Sequence, residues 1–171
     1  NYTNTFLPLD RLLGYMEEAS KVEDIVEISI STRPDCIRQD YLEAFYEFSS
    51  RTGIEVSIEL GLQTVNYHTL MDMNRGHGLA EFIDAVLRIA PYHFPVCVHM
   101  ILNLPGDTMD DAEESARILS ALPISMVKLH SLYIPKQCEL YDKYICGEIE
   151  ICPKEEYLSR LTEFIALLRP D

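Results

Sequence analysis

Four short runs rich in isoleucine and valine alternate apolar with polar residues, and this alternation restricts the fold more than any other feature of the chain. In the first run Val26, Ile28 and Ile30 alternate with Glu27, Ser29, Ser31 and Arg33. In the second, Val56, Ile58 and Leu60 oppose Ser57, Glu59 and Gln63. The third sets Val96, Val98, Met100 and Leu102 against Cys97, His99 and Asn103, and the fourth sets Val127 and Leu129 against Lys128 and His130. Successive side chains of a strand point to opposite faces, so each run has one apolar and one polar face. A doubly wound sheet buries both faces and would read as continuous apolar stretches instead.

Between the strands, expected over residues 26–31, 56–60, 96–102 and 126–132, lie segments with helical spacing. The stretch 79–89 carries Leu79, Phe82, Ile83, Val86 and Leu87 on one stripe. Further helices are expected over 41–51, over 109–122 behind the near capping box Thr108-x-x-Asp111, and over 153–168. One more precedes the first strand near Pro8, and a short one is expected over 67–73. Strands separated by helices run parallel, because a tight hairpin turn has no room for a helix. The expected fold is therefore α/β: a partial, incomplete TIM-like (β/α) barrel with parallel strands, helices on the outer face and a polar lumen. That lumen gathers Glu27, Arg33, Glu59, His99, Lys128 and His130, groups costly to bury unless paired or used. The other arrangement with this pattern is a half-exposed sheet whose polar face meets water.

Ligands of parallel α/β folds bind at the C-terminal strand ends. The distinctive residues fall there: Thr32-Arg33-Pro34-Asp35, Glu59-Leu60-Gly61-Leu62-Gln63-Thr64, Asn74-Arg75-Gly76-His77, and Leu104-Pro105-Gly106-Asp107-Thr108. Gln63 both donates and accepts hydrogen bonds, and Arg75 offers a bidentate fork for a carboxylate. Each has a plain alternative. Pro105-Gly106 also suits a simple turn, Arg75 a surface pair with Asp72, and Glu59 mere neutralisation of Lys128.

Charge and cysteines narrow the chemistry. The 171 residues carry 14 basic against 28 acidic side chains, a net charge of −14, so the chain supplies no positive stripe on average for a nucleic-acid backbone. No run approaches the ~18 apolar residues of a membrane span, and a cytoplasmic location is expected. Cys36, Cys97, Cys138, Cys146 and Cys152 include no C-x-x-C pair and read as reduced thiols.

Taken in order, T-R-P-D, E-L-G-L-Q-T, N-R-G-H, V-C-V-H-M and L-P-G-D-T resemble the radical S-adenosylmethionine superfamily. They are similar to the branch shared by the elongator catalytic subunit and a group of bacterial iron–sulfur oxidoreductases. The resemblance implies a (β/α)6 barrel holding a [4Fe–4S] cluster on three closely spaced cysteines, with S-adenosylmethionine chelating the fourth iron. It implies an oxidoreductase-type enzyme that cleaves the sulfonium to a 5′-deoxyadenosyl radical. A reductant such as flavodoxin or ferredoxin would feed the cluster, and RNA is a possible substrate of the whole protein.

By the same resemblance, Gln63 and Arg75, twelve residues apart, are expected to contact S-adenosylmethionine. Ser31 and His99 stand at strand-end positions that are acidic in coproporphyrinogen-oxidase-like relatives. Leu132 would offer backbone near the adenine, and Thr3 and Asn4 would approach the methionine amino group. The chain departs from the pattern at Asn103, where many relatives have glycine, and in lacking the cluster motif. The expectation is that residues 1–171 are the central part of the barrel domain, inactive alone, with the cluster cysteines upstream of Asn1. Two other readings stay open: a metal-dependent barrel lyase or hydrolase using His99, His130 and Glu59, and a non-catalytic interaction module.

Overall fold

A computed structural model describes residues 4–169. Four parallel strands pair in sequence order: β1 (Glu27–Thr32), β2 (Glu55–Gln63), β3 (Val96–Ile101) and β4 (Met126–His130). Ile30 of β1 lies opposite Ile58 of β2, and Ser31 opposite Glu59. The helices are α1 (Leu9–Ala19), α2 (Gln39–Thr52), α3 (Tyr67–Asp72), α4 (Leu79–Ile89), α5 (Met109–Leu119), α6 (Glu139–Ile145) and α7 (Lys154–Leu167). Helices between consecutive neighbouring parallel strands give the connectivity of a (β/α) barrel arc, as the alternation requires.

The chain forms two compact units. The first, residues 4–62, 79–99 and 123–128, contains part of every strand. Its core is the apolar strand face, where Val56, Ile58, Leu60, Leu62 and Val98 are fully buried, together with Leu42 and Phe45 of α2 and Phe82, Val86 and Ile89 of α4. Helix α2 ends at Gly53, whose N–H donates to the Ser49 carbonyl at 2.9 Å and whose left-handed φ of 74°, a conformation a side chain would resist, turns the chain out of the helix. The opposite strand face is shielded at its centre and wet at one end. Ser57 and Cys97 are buried and the Glu59 side chain is 14% exposed, while Glu27 and Ser29 stand in solvent.

The second unit comprises residues 63–78, 100–122 and 129–169. Here α5 packs against α7, burying Ala112, Ala116, Leu119 and Phe164. The capping box forms as expected: the Thr108 N–H donates to Asp111 Oδ2 at 2.7 Å, and the Thr108 side chain closes the reciprocal half. Asn66 caps α3, its Oδ1 accepting from the N–H groups of His68 and Thr69. Arg160 of α7 is 4% exposed and donates from Nη1 to the Leu102 carbonyl at 3.1 Å. Helix α6 was not expected, and α5 stops three residues before the 122 read from the sequence. No helix among the described residues is long and apolar enough to cross a membrane.

Candidate functional site

Two groups of candidate residues gather, one in each unit. In the second unit Gln63, Arg75 and Leu132 line one cavity of about 230 Å³, with Thr69, Leu70, Met73, Ile101 and Leu104. Gln63 closes β2, and its backbone turns left-handed there, φ 76°, a region that disfavours side-chain-bearing residues. Asn74 (φ 50°) and Gly76 (φ 72°) flank Arg75 with two further left-handed turns. The cavity thus has an amide and a guanidinium on a mostly aliphatic wall, a lining suited to a flat apolar ring bearing a polar or anionic tail.

Supporting residues lie behind that wall. The Asn103 side chain, 8% exposed, accepts the Leu132 N–H at 2.7 Å. The Leu132 N–H is therefore already donated, and any main-chain contact from Leu132 to a ligand falls to its carbonyl. Asp107, 9% exposed, accepts from Thr69 Oγ1 at 2.6 Å. Burial raises the Asp107 carboxyl above its ordinary value, against hydrogen bonds from Thr69 and Thr64 that pull it down. Gly106 (φ 91°) makes the turn before it, and a Cβ there would meet Thr69 Oγ1 at 3.3 Å.

In the first unit the polar strand face centres on Glu59. Lys128 Nζ donates to Oε1, Ser31 Oγ donates to Oε2 at 2.8 Å, and His99 Nε2 stands 3.3 Å from Oε2. Burial works to raise the Glu59 carboxyl, but Lys128 above all, then Ser31 and His99, outweigh it and hold the group below its ordinary range. Lys128 is raised in turn, chiefly by its hydrogen bond to Glu59. The neutralisation of Glu59 by Lys128 read from the sequence is present. Further down this face the Ser57 hydroxyl donates to Glu27, with Ser29 at 2.8 Å from Ser57.

The remaining expectations are placed as follows. Ser31 and His99 join the Glu59 group; neither lines the cavity of Gln63 and Arg75. Arg33, in the loop after β1, forks onto Asp35 with Nε–Oδ1 2.9 Å and is not gathered with Glu59. His130 is exposed at the end of β4, and the histidine–carboxylate group that does form takes Cys97 in place of His130 as its third member. Asn4 opens a 3-10 turn, its carbonyl accepting from the Leu7 N–H at 3.0 Å, and Thr3 lies outside the described residues.

Comparison with known proteins decides the family. The sequence model of the radical SAM superfamily matches residues 3–119, and that of the radical SAM C-terminal domain matches residues 124–171. The chain belongs to the radical SAM superfamily. An uncharacterised protein of Methanocaldococcus jannaschii is 33% identical over 168 residues, covering 98% of this chain and 52% of that protein. The chain thus spans about half the length of such relatives. In structure, archaeal Elp3 of Methanocaldococcus infernus superposes with a TM-score of 0.78 at 20% identity, over 97% of this chain and 43% of that one. Coproporphyrinogen III oxidase of Escherichia coli, a radical SAM enzyme, gives 0.72 at 18%, over 96% and 37%. These likenesses support the barrel fold of this radical SAM chain.

Sequence reasoning passed over three residues that organise this radical SAM chain. Asp107 stood inside a recognised motif but was read with its turn. Asn103 was placed on the polar face of the third strand and noted as a departure from the family pattern, but its hold on Leu132 was not foreseen. Arg160 carried a legible signal: a charged residue between Tyr157, Leu161 and Phe164 on the apolar stripe of α7.

Proposed function

We propose that this chain supplies the S-adenosylmethionine-binding wall of a radical SAM enzyme. The observation that carries the reading is the convergence of Gln63, Arg75 and Leu132 on one cavity. All three were singled out from sequence for cofactor contact, and they come from three separate segments.

The residue chemistry fits the ligand. The Arg75 guanidinium matches the methionyl carboxylate, and the Gln63 amide can bond a ribose hydroxyl or the amino group. Leu70, Ile101 and Leu104 offer an apolar slot for adenine, and the Leu132 carbonyl can accept from its amino group. At about 230 Å³ the cavity lies below the ~300–1,000 Å³ of sites that enclose a whole ligand of this size, so it holds part of the molecule.

The iron–sulfur cluster is a different matter. All five cysteines are described, all are free, and the only metal-competent group among the described residues contains one of them. These residues do not fit a three-cysteine cluster. On this reading the cluster ligands belong to a part of the whole protein beyond residues 1–171, and reductive cleavage of the sulfonium is a property of the whole. This chain's residues bind, orient and shield the cofactor.

The test uses the full-length protein, reconstituted anaerobically with iron and sulfide, and equilibrium binding of S-adenosylmethionine. Gln63→Ala and Arg75→Ala should each weaken affinity by about tenfold, the ~1.4 kcal/mol expected for a charge-assisted or ligand hydrogen bond, with the melting temperature unchanged. Unaltered affinity in both variants would overturn the assignment. Failure of the wild type to release 5′-deoxyadenosine would remove the enzymatic reading itself.

A further inference from the structure

The group around Glu59 holds more than an ion pair requires. Neutralising Glu59 takes only Lys128 at Oε1, and with Ser31 donating to Oε2 the carboxylate still has free lone pairs. Yet β3 adds Cys97 and His99, two residues apart and therefore on one face, beside Glu59 on the neighbouring strand. The carboxylate oxygen, the thiol sulfur and an imidazole nitrogen all lie within 4.8 Å of one another. Burial raises the Cys97 thiol above its ordinary value, so without a cation it stands beside the carboxylate as a neutral, protonated group.

We propose that Glu59, Cys97 and His99 form a binding site for a divalent transition-metal ion of the zinc class. A tetrahedral ion with bonds of about 2.0–2.3 Å holds its ligand atoms ~3.3–3.8 Å apart. His99 Nε2 and Glu59 Oε2, at 3.3 Å, already have that spacing. Rotation of the Cys97 side chain closes the rest. One sulfur, one imidazole and one carboxylate select zinc, cobalt(II) or iron(II) over magnesium or calcium, which prefer all-oxygen sites.

The surroundings resemble a supported open site. Ser31 donates to Oε2 at 2.8 Å and orients the carboxylate, the role that outer hydrogen bonds play at metal centres. Three protein ligands leave a fourth tetrahedral position for water or substrate. On binding, the Cys97 thiol releases its proton to solvent as the metal–sulfur bond forms. Lys128 opposes the cation, but its side chain is 42% exposed and turns into water without a burial cost. This site shares no residue with the cavity of Gln63 and Arg75 and does not rest on the cofactor reading.

The experiment is anaerobic titration of the reduced 171-residue chain with cobalt(II) alone, followed by absorbance. The expected result is a thiolate-to-cobalt charge-transfer band saturating at one ion per chain and displaced by zinc. Cys97→Ser should abolish the band. His99→Gln and Glu59→Gln should each weaken binding at least about tenfold, and Lys128→Met should tighten it. A variant with serine at Cys36, Cys138, Cys146 and Cys152 should keep the band. Circular dichroism identifies the folded variants. The proposal is overturned if folded wild type gives no thiolate band, if the band survives Cys97→Ser, or if the folded four-serine variant loses it.

Discussion

Thr69 Oγ1 donates a 2.6 Å hydrogen bond to the buried carboxylate of Asp107, joining the short helix after β2 to the turn after β3. Thr69 also lines the cavity of Gln63 and Arg75. The pair therefore fixes one wall of that cavity from behind, and the absent side chain of Gly106 leaves the hydroxyl room to do so.

Stability should register the Asp107 carboxyl as pH changes. Burial raises it above the unfolded value of about 3.9, so the folded chain holds the proton more tightly. Its contribution is complete below the unfolded value and is lost as pH rises through the folded one. Urea unfolding across this window should show wild type losing stability relative to Asp107→Asn as pH increases. A constant difference would contradict the assignment.

The Asn103 side chain holds the segment after β4 through the Leu132 N–H. Asn103→Ala removes the acceptor and should cost about 1 kcal/mol, accelerating amide exchange at Leu132 by roughly fivefold. Exchange at the Phe45 amide, in the other unit, should change only through global stability. Equal acceleration at both sites would show that the bond has no local role.

Arg160 anchors α7 by donating to the carbonyl of Leu102 while its Nη2 engages Glu156. Arg160→Met keeps most of the volume but leaves a buried carbonyl without its charged donor. A loss of about 2–3 kcal/mol is expected in chemical denaturation. A change under ~0.5 kcal/mol would place the energetic weight of α7 in its apolar contacts alone.

The strands and helices were legible because period and parity are local. Residues 79–89 were placed at both ends correctly, since five apolar positions on one stripe admit no other register. The meeting of Gln63, Arg75 and Leu132 was legible only through family resemblance; nothing in their spacing brings them together. Helix α6, Glu139–Ile145, escaped because it buries no residue and lies between Pro135 and Gly147, breakers that read as loop. His130 was paired with His99 on parity alone. The structure prefers Cys97, which shares strand and face with His99 but was read in the sequence only as a reduced thiol. Interactions between distant segments depend on where loops end, and parity carries no information about that.

The left-handed backbone at Gln63 has a further consequence. A glycine would occupy φ 76° without resistance, so the glutamine sits at a position where the chain forgoes stability of about 1 kcal/mol. Gln63→Gly should accordingly melt higher than wild type while losing the amide altogether. Such a trade, rigidity surrendered at a single residue to aim one side chain, makes the end of β2 the spot where selection for thermal robustness and selection for ligand capture pull in opposite directions.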